Sequence, residues 1–200
     1  MKQITYIAIL VLCIFNCKAQ PTSTSQYEEV ALELEQADFQ VHPYKGVYYK
    51  DVNNHLDKFT GTWLGAYNGN NFELLIEEYS TSYNGNRRDK LRLKYRITDA
   101  SGNTLVETFS QPRHSAYIMT GKYLDQSGLS YVLSYTGLRS DCGQTGTVFI
   151  GSGWNTNNDT LRIYMIVEGE GYDPERCPDY TQFPIYFPKN TDPEFFLQKQ

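Results

Sequence analysis

Three things are scarce in this 200-residue sequence: long hydrophobic runs, basic clusters and catalytic signatures. Beyond residue 20, no segment approaches the ~20 apolar residues of a membrane-spanning helix. Neither the His-Glu-x-x-His spacing of zinc sites nor a Gly-x-Ser-x-Gly elbow occurs, and His42, His55 and His114 are isolated. We therefore assign no catalytic residue, metal ligand or cofactor, and expect a protein that is not an enzyme. A hydrolase of unrecognised type is the less favoured alternative.

The charge balance excludes nucleic acid as a partner. Eighteen Lys and Arg residues stand against 23 Asp and Glu residues, which gives a formal charge of −5. Lys2 and Lys18 both lie in the first 20 residues and no acid does, so removing that segment leaves 16 bases, 23 acids and a charge of −7. Such a surface repels phosphate backbones, and no basic run reverses this.

The first 20 residues have the layout of a secretory signal. Lys2 supplies a short positive start, residues 4–15 form an apolar run interrupted only by Thr5, and Ala19 is a small residue near the end. The apolar run is too short to span ~30 Å of hydrocarbon. The sequence therefore predicts an exported protein, located in the periplasm, at the outer membrane or outside the cell.

Two ways of cleaving this signal remain open. An ordinary signal peptidase would cut after Ala19, so that residues 1–19 form the signal. A lipoprotein peptidase would cut before Cys17, remove residues 1–16 and leave an acylated cysteine as the membrane contact. Phe15 and Asn16 match lipoprotein signals poorly, whereas a lone cysteine at the end of the apolar run favours one.

Cys142 and Cys177 are the two cysteines beyond the signal. In an oxidising compartment such a pair most simply forms one disulfide, and two free buried thiols are the alternative. The strands predicted at 147–150 and 161–167 should form a hairpin with both cysteines at its open end. No Cys-x-x-Cys spacing makes either thiol reactive. We predict a structural bridge that stabilises the fold by about 3–4 kcal/mol in the chain-entropy model.

A polar lead-in, residues 20–43, precedes the main domain. Residues 20–26 are Ser, Thr, Gln and Pro, with nothing to bury. Val30, Leu34 and Ala37 then fall at helical spacing, which favours a short amphipathic helix. We assign residues 44–189 to a single β domain and residues 190–200 to a C-terminal tail.

From residue 46 onward the hydrophobic period is two, as expected for half-buried strands. Strands are predicted at residues 46–51, 61–67, 72–79, 90–98, 104–110, 116–123, 130–135, 147–150, 161–167 and 183–187. Tight turns such as Asn68-Gly69 and Asn84-Gly85 join them. A meander of about 8–10 strands avoids exposed edges by curling shut, so the leading fold is an all-β, lipocalin-like up-and-down barrel or a strongly curved sheet. A β-sandwich is the alternative.

Gly61-Thr62-Trp63 opens the second strand and resembles the Gly-x-Trp signature of lipocalin-like barrels. The resemblance implies that Trp63 plugs the closed end of the barrel, beneath a cavity for a small apolar ligand. The alternative is that Trp63 is an ordinary core residue. An apolar ligand inside the barrel is the leading functional hypothesis.

Aromatic residues are abundant, with 17 tyrosines and 10 phenylalanines. Most lie in predicted strands, where cross-strand pairing accounts for them. If several of them faced outward together, they would form a platform on which sugar rings stack. A carbohydrate- or surface-binding module is therefore the alternative function.

Two acidic segments carry oxygen atoms of the kind that Ca²⁺ prefers, but neither has the spacing of a calcium loop. The acids near Cys177 are Glu168, Glu170, Asp173, Glu175 and Asp179. We interpret them as a solvated rim. In the segment that begins at Asp51, Leu56 stands where an EF-hand needs glycine. We interpret that segment as a turn held by side-chain hydrogen bonds of aspartate and asparagine.

Four motifs carry a resemblance to a known family: residues 17–20, residues 48–57, Gly61-Thr62-Trp63 and residues 183–189. Together they resemble an uncharacterised family of small exported proteins from flavobacteria, a domain of unknown function. The resemblance implies an envelope or secreted protein. It carries no functional residues over, because the family has no assigned activity.

Overall fold

A computed structural model describes residues 27–31, 46–152, 158–168, 175, 177–178 and 184–200. The predicted signal, Cys17 and most of the lead-in lie outside these ranges. The described ranges contain no helix with the length and apolar character needed to cross a membrane.

The described chain consists of strands and two single turns of 3-10 helix, Asp57–Phe59 and Ser140–Cys142. The strands are β1 Glu28–Ala31, β2 Val47–Lys50, β3 Gly61–Tyr67, β4 Asn70–Tyr83, β5 Asn86–Thr98, β6 Thr104–Glu107, β7 Met119–Leu124, β8 Ser130–Thr136, β9 Thr145–Ser152, β10 Thr160–Val167 and β11 Phe196–Lys199. Most lie where the period-two pattern predicts them. Strands β4 and β5 are longer than predicted.

Eight strands form a closed antiparallel barrel in the order β3-β4-β5-β7-β8-β9-β10-β11. Consecutive strands of the ring are neighbours in the chain, except that the short β6 lies between β5 and β7 in sequence and pairs with β5. Strand β11 closes the ring on β3, where Gln198 lies opposite Leu64 and Lys199 opposite Trp63. The structure confirms the predicted all-β meander and is consistent with a lipocalin-like barrel.

The β4–β5 hairpin extends past the barrel wall as an arm. Its tip is the turn Asn84-Gly85, in which both residues have positive φ, as an Asn-Gly hairpin turn requires. Strand β2 pairs in parallel with the arm at Tyr48↔Arg87 and Tyr49↔Arg88, and β1 pairs in parallel with β2. The lead-in is thereby attached to the edge of β5.

Strands β6 and β7 follow one another along the same edge of β5. Arg96 of β5 lies opposite Glu107 of β6, and Leu93 lies opposite Met119 of β7. The residues between them, 108–118, leave the barrel wall as a loop and then return to it. We call this segment the outer loop.

The interior of the barrel is filled by side chains. Each barrel strand contributes a hydrophobic residue with 0 % exposure: Trp63, Leu74, Leu93, Met119, Leu133, Ile150, Ile163 and Leu197. A side chain with no accessible surface borders neither solvent nor a water-sized void. Eight-stranded barrels are narrow enough for their side chains to fill the inside.

The turn before β3 closes one end of the barrel. Asp51 accepts hydrogen bonds from the backbone N–H groups of His55 (2.9 Å) and Leu56 (2.8 Å), which confirms the predicted turn. Phe59, fully buried, packs 6.1 Å from the ring of Tyr131 on β8. Since β8 lies opposite β3 in the ring of strands, the turn crosses the barrel.

Phe187 closes the other end. It comes from the segment between β10 and β11, and its ring contacts Phe72, Tyr95 and Tyr135 at 5.7, 5.1 and 5.9 Å. These three residues belong to β4, β5 and β8, so the ring lies across the barrel opening. Phe195 adds a contact with Phe72 at 5.1 Å.

Two predicted elements are wrong. The short helix is expected over residues 27–37, but Glu28–Ala31 form a strand, because pairing along the open edge of β2 outweighs a weak helical spacing. Residues 32–37 of the predicted helix lie outside the described ranges. Residues 184–187 are not a strand, since Pro184 and Pro188 lack the N–H that a ladder needs. The last strand lies instead in the predicted tail, 190–200, as β11.

Cys142 and Cys177 form a disulfide, as predicted. Cys142 ends the short 3-10 turn before β9, and both cysteines are buried. The bridge ties the segment that follows β10 to the loop that precedes β9.

Candidate functional site

Trp63 lies fully buried beneath the turn that closes one barrel end. Its indole N–H donates to the backbone oxygen of Phe59 at 2.8 Å, and the ammonium of Lys199 lies 5.3 Å from the ring centre. The residue is therefore part of the closed end. A role as a plug beneath a bound ligand stays a prediction.

The interior does not present space for a ligand at the described residues. Side chains with 0 % exposure come from all eight barrel strands, and Phe59 and Phe187 lie across the two ends. Three depressions that described residues line lie on the outer surface of the barrel.

Four hydrophobic residues form a straight row on the outer face of β7–β10. Tyr123 lies opposite Val132, Val132 opposite Phe149, and Phe149 opposite Tyr164. We call these four residues the aromatic row. It arises from a register shift in β7 between Gly121 and Tyr123, which turns Tyr123 outward.

Three residues of the aromatic row, Tyr123, Val132 and Phe149, line a groove of about 560 Å³, and Tyr164 lies next to Phe149 at its side. The rings of Phe149 and Tyr164 are stacked, with centroids 5.0 Å apart and planes 6° apart. At one side of the groove, the ammonium of Lys122 donates to the Thr147 hydroxyl at 2.9 Å. We call this depression the aromatic groove.

A second, larger cleft of about 680 Å³ lies between the arm and the outer loop. Thr120, Ser134 and Thr136 of β7 and β8 line it with hydroxyl groups. Arg87 contributes from the arm and Arg113 from the outer loop. We call it the arginine cleft.

The three arginines of the cleft differ in their contacts. Arg92 donates to Glu77 at 3.0 Å, and its guanidinium lies 5.5 Å from the Tyr79 ring. Arg87 lies over the ring of Tyr48 at 4.6 Å. Arg113 is exposed. Among the described residues, neither Arg87 nor Arg113 has an acidic partner.

Glu78 and His114 both border the arginine cleft, and both are exposed. Partial desolvation, followed by the carboxylates of Asp89 and Asp51, raises the pKa of Glu78 above its ordinary value. Those aspartates are buried beside Tyr48 and the turn that closes the barrel. His114 lies exposed on the outer loop. His55 is in the closing turn, and His42 lies outside the described residues.

The cysteines do not provide metal ligands. Asp141, Cys142 and Cys177 place their ligand atoms within 4.8 Å of one another. Because the two sulfur atoms are joined in the disulfide, neither is a thiolate that would bind a metal. Arg139 forms an ion pair with Asp141 at 3.2 Å. Cys17, the candidate lipidation site, lies outside the described residues.

A family model described as "Family of unknown function (DUF6705)" matches residues 1–147. The chain belongs to this family. The match confirms the resemblance to a domain of unknown function, and it includes the arginine cleft and the first half of the aromatic row. Phe149 and Tyr164 lie beyond the matched residues. No curated protein and no solved structure matches the chain.

The sequence does not identify the arginine cleft. Its period-two pattern correctly places Arg92 on the outer face of β5, but nothing in the pattern brings Arg113 near Arg87. The sequence pattern assigns residues 108–110 and 116–118 to the ends of two strands. It therefore misses the outer loop, which forms one side of the cleft. The sequence does not reveal the aromatic row either. Tyr123 faces outward only because of the register shift in β7, which the alternation of residues does not predict.

Proposed function

We propose that this protein is an exported carbohydrate-binding barrel without catalytic activity, and that sugars bind in the aromatic groove. The observation that carries the proposal is the aromatic row, in which three of four register-paired outward residues are aromatic. Sugar rings present C–H faces that pack on aromatic rings, whereas their hydroxyl groups need polar partners nearby.

Polar side chains at the rim of the groove could bind the hydroxyl groups of a sugar. Lys122, Thr147 and Glu168 line the groove beside the rings, and Lys122 also lies 3.8 Å from the Glu168 carboxylate. A cation, a hydroxyl and a carboxylate together offer both donors and acceptors to sugar hydroxyl groups. An apolar surface with a few fixed polar groups is typical of a small-molecule site.

An apolar ligand inside the barrel is less well supported. Entry would require displacement of Phe59 or Phe187, both buried across the ends. The interior side chains would also have to move, since cores at native density contain few voids larger than water. We therefore propose the outer face, not the interior, as the binding surface.

Export is part of the proposal. The Cys142–Cys177 disulfide fits an oxidising compartment, and residues 1–20 have the features of a secretory signal. Mass spectrometry of the mature N-terminus tests it: an acylated Cys17 or a free Gln20 supports export, and an intact Met1 in the mature protein contradicts it.

Titration of the purified protein with a panel of neutral and acidic oligosaccharides tests the binding site. We expect at least one binder, and we expect Phe149→Ala and Tyr123→Ala each to weaken it about tenfold, because both residues line the groove and each change removes roughly 1.5 kcal/mol of stacking contact. Tyr83→Ala is the matched control, since Tyr83 is 72 % exposed at the tip of the arm. A panel without any binder, or equal losses in Y83A and Y123A, would refute the proposal.

A further inference from the structure

A row of hydroxyl groups joins the aromatic groove to the arginine cleft. On the outer face of the barrel, Thr120 lies opposite Ser134, and Ser134 lies opposite Thr147. Thr120 and Ser134 line the cleft, whereas Thr147 lines the groove. Because paired strands are ~4.8 Å apart, the two depressions form one continuous surface.

The arginine cleft concentrates positive charge on an acidic protein. The chain has a formal charge of −5, yet three arginines, Arg87, Arg92 and Arg113, line this cleft against one acid, Glu78. Glu77 neutralises Arg92. Arg87 and Arg113 have no acidic partner among the residues that the structure describes, so their guanidinium groups are available to an anion from solution.

The chemistry of the cleft suits an oxyanion carried on a polar molecule. Guanidinium groups bind carboxylate and sulfate oxygens through paired N–H bonds. The hydroxyl groups of Thr120, Ser134 and Thr136 add neutral hydrogen-bonding partners around them. Apolar ligands would leave all of these groups unpaired and desolvated, which is unfavourable.

We propose that the ligand is an acidic oligosaccharide whose carboxylate or sulfate ester binds Arg87 and Arg113 in the arginine cleft. A neighbouring sugar of the same chain stacks on the aromatic row. This inference rests on the proposed carbohydrate-binding function and narrows its ligand to acidic glycans. It also assigns the cleft and the groove to one binding surface.

Calorimetric titration with four probes tests the inference. The probes are hexagalacturonate, which carries carboxylates, a heparin-derived hexasaccharide, which also carries sulfate esters, neutral maltohexaose, and inorganic polyphosphate. We expect one or both acidic hexasaccharides to bind at least about tenfold more tightly than maltohexaose, and to bind more weakly as salt concentration rises. The difference between the two acidic probes identifies the oxyanion.

Substitutions at the arginines distinguish the cleft from the general surface. Arg87→Gln and Arg113→Gln should each weaken acidic binding about tenfold, the worth of one charge-assisted hydrogen bond, and leave maltohexaose binding unchanged. The matched control is Arg96→Gln. Arg96 lies on the same strand as Arg92 and pairs with Glu73 outside the cleft, so its loss should change neither affinity.

Each outcome separates this inference from the proposed function. Equal binding of acidic and neutral probes refutes the acidic ligand and leaves the carbohydrate-binding function standing. Equal losses in R96Q and R113Q, or polyphosphate binding as tight as the glycans, also refute it, because the cleft would then be a general anion surface. Acidic binding that depends on Arg113 but not on Phe149 refutes stacking on the aromatic row. The absence of any binder refutes both proposals.

Discussion

Replacement of Phe187 by alanine tests whether the barrel is closed by side chains at both ends. The Phe187 ring is 3 % exposed and has edge-to-face contacts with Phe72, Tyr95 and Tyr135, one from each of three barrel strands. Directly after Phe187, the backbone oxygen of Pro188 accepts from the Met165 N–H of β10 at 2.8 Å. The ring and this backbone bridge therefore attach the segment to the barrel together.

The magnitude follows from burial and ring contacts. Truncation of a buried phenylalanine to alanine costs about 3–5 kcal/mol, of which part is the cavity left behind. Edge-to-face aromatic pairs add about 0.5–1.5 kcal/mol each beyond their buried area, so three contacts favour the upper end of that range. A loss of about 4–5 kcal/mol would be a large share of the ~5–15 kcal/mol stability of a typical domain.

Urea denaturation followed by tryptophan fluorescence measures this loss. Phe196→Ala is the matched control, because Phe196 faces outward on β11 with 37 % exposure and should cost less than about 1.5 kcal/mol. Phe187→Ala should also open an apolar cavity that binds benzene, whereas the unchanged protein should not bind it. A cost below about 1 kcal/mol, or benzene binding by the unchanged protein, would refute the filled and closed interior.

Three further results are expected. Replacement of Cys142 and Cys177 by alanine should cost about 4 kcal/mol in urea denaturation, from closure of a loop with a sequence separation of 35, and an unchanged midpoint would contradict the entropic argument. Gly121→Ala should cost at least about 2 kcal/mol, because a Cβ there would collide with the Tyr131 hydroxyl and the Leu91 carbonyl; a neutral effect would contradict the packing. Glu78→Gln should stabilise the protein near neutral pH: the folded pKa is raised, so ionisation costs stability as pH rises past the unfolded value of ~4.3, and the gain should vanish below about pH 4.

Much of the fold can be predicted because its strands are amphipathic and joined locally. In β5, Leu91, Leu93, Tyr95 and Ile97 are buried while the residues between them face outward, as the alternation requires. Asn-Gly turns at 68–69 and 84–85 set the hairpin registers. Since most consecutive strands pair, local connections order the greater part of the barrel.

The closure of the barrel could not be predicted, because it depends on residues without a local signal. Strand β11 has only four residues, too few for a convincing alternation, yet it supplies the pairing that joins β10 to β3. Phe187 sits in a proline-flanked segment that suggests an edge strand. Its ring contacts form only after β4, β5 and β8 have come together.

The candidate site was even less predictable, since both depressions combine residues distant in sequence. Arg87 and Arg113 line the same cleft only because the chain leaves the barrel wall after β6 and returns to the same edge of β5 as β7. The aromatic row requires the registers of four strands to align. A one-residue shift in β7 would turn Tyr123 inward, and such shifts are difficult to predict from sequence.

The two halves of the barrel wall differ in the residues that face outward, and this difference supports the proposed binding surface on β7–β10. On β4 and β5, register partners neutralise one another across the strands: Glu73 pairs with Arg96 and Glu77 with Arg92. On β7–β10 the outward rows are mainly apolar or hydroxyl-bearing. The ion pairs there, Lys122 with Glu168 and Arg162 with Glu194, leave the aromatic row and the row of hydroxyl groups uncharged. Solubility alone would favour charges on both halves, because exposed apolar rows invite association. The proposed ligand, which covers the aromatic row and reaches the arginine cleft, would account for a wall with ion-paired rows on β4 and β5 and uncharged rows on β7–β10.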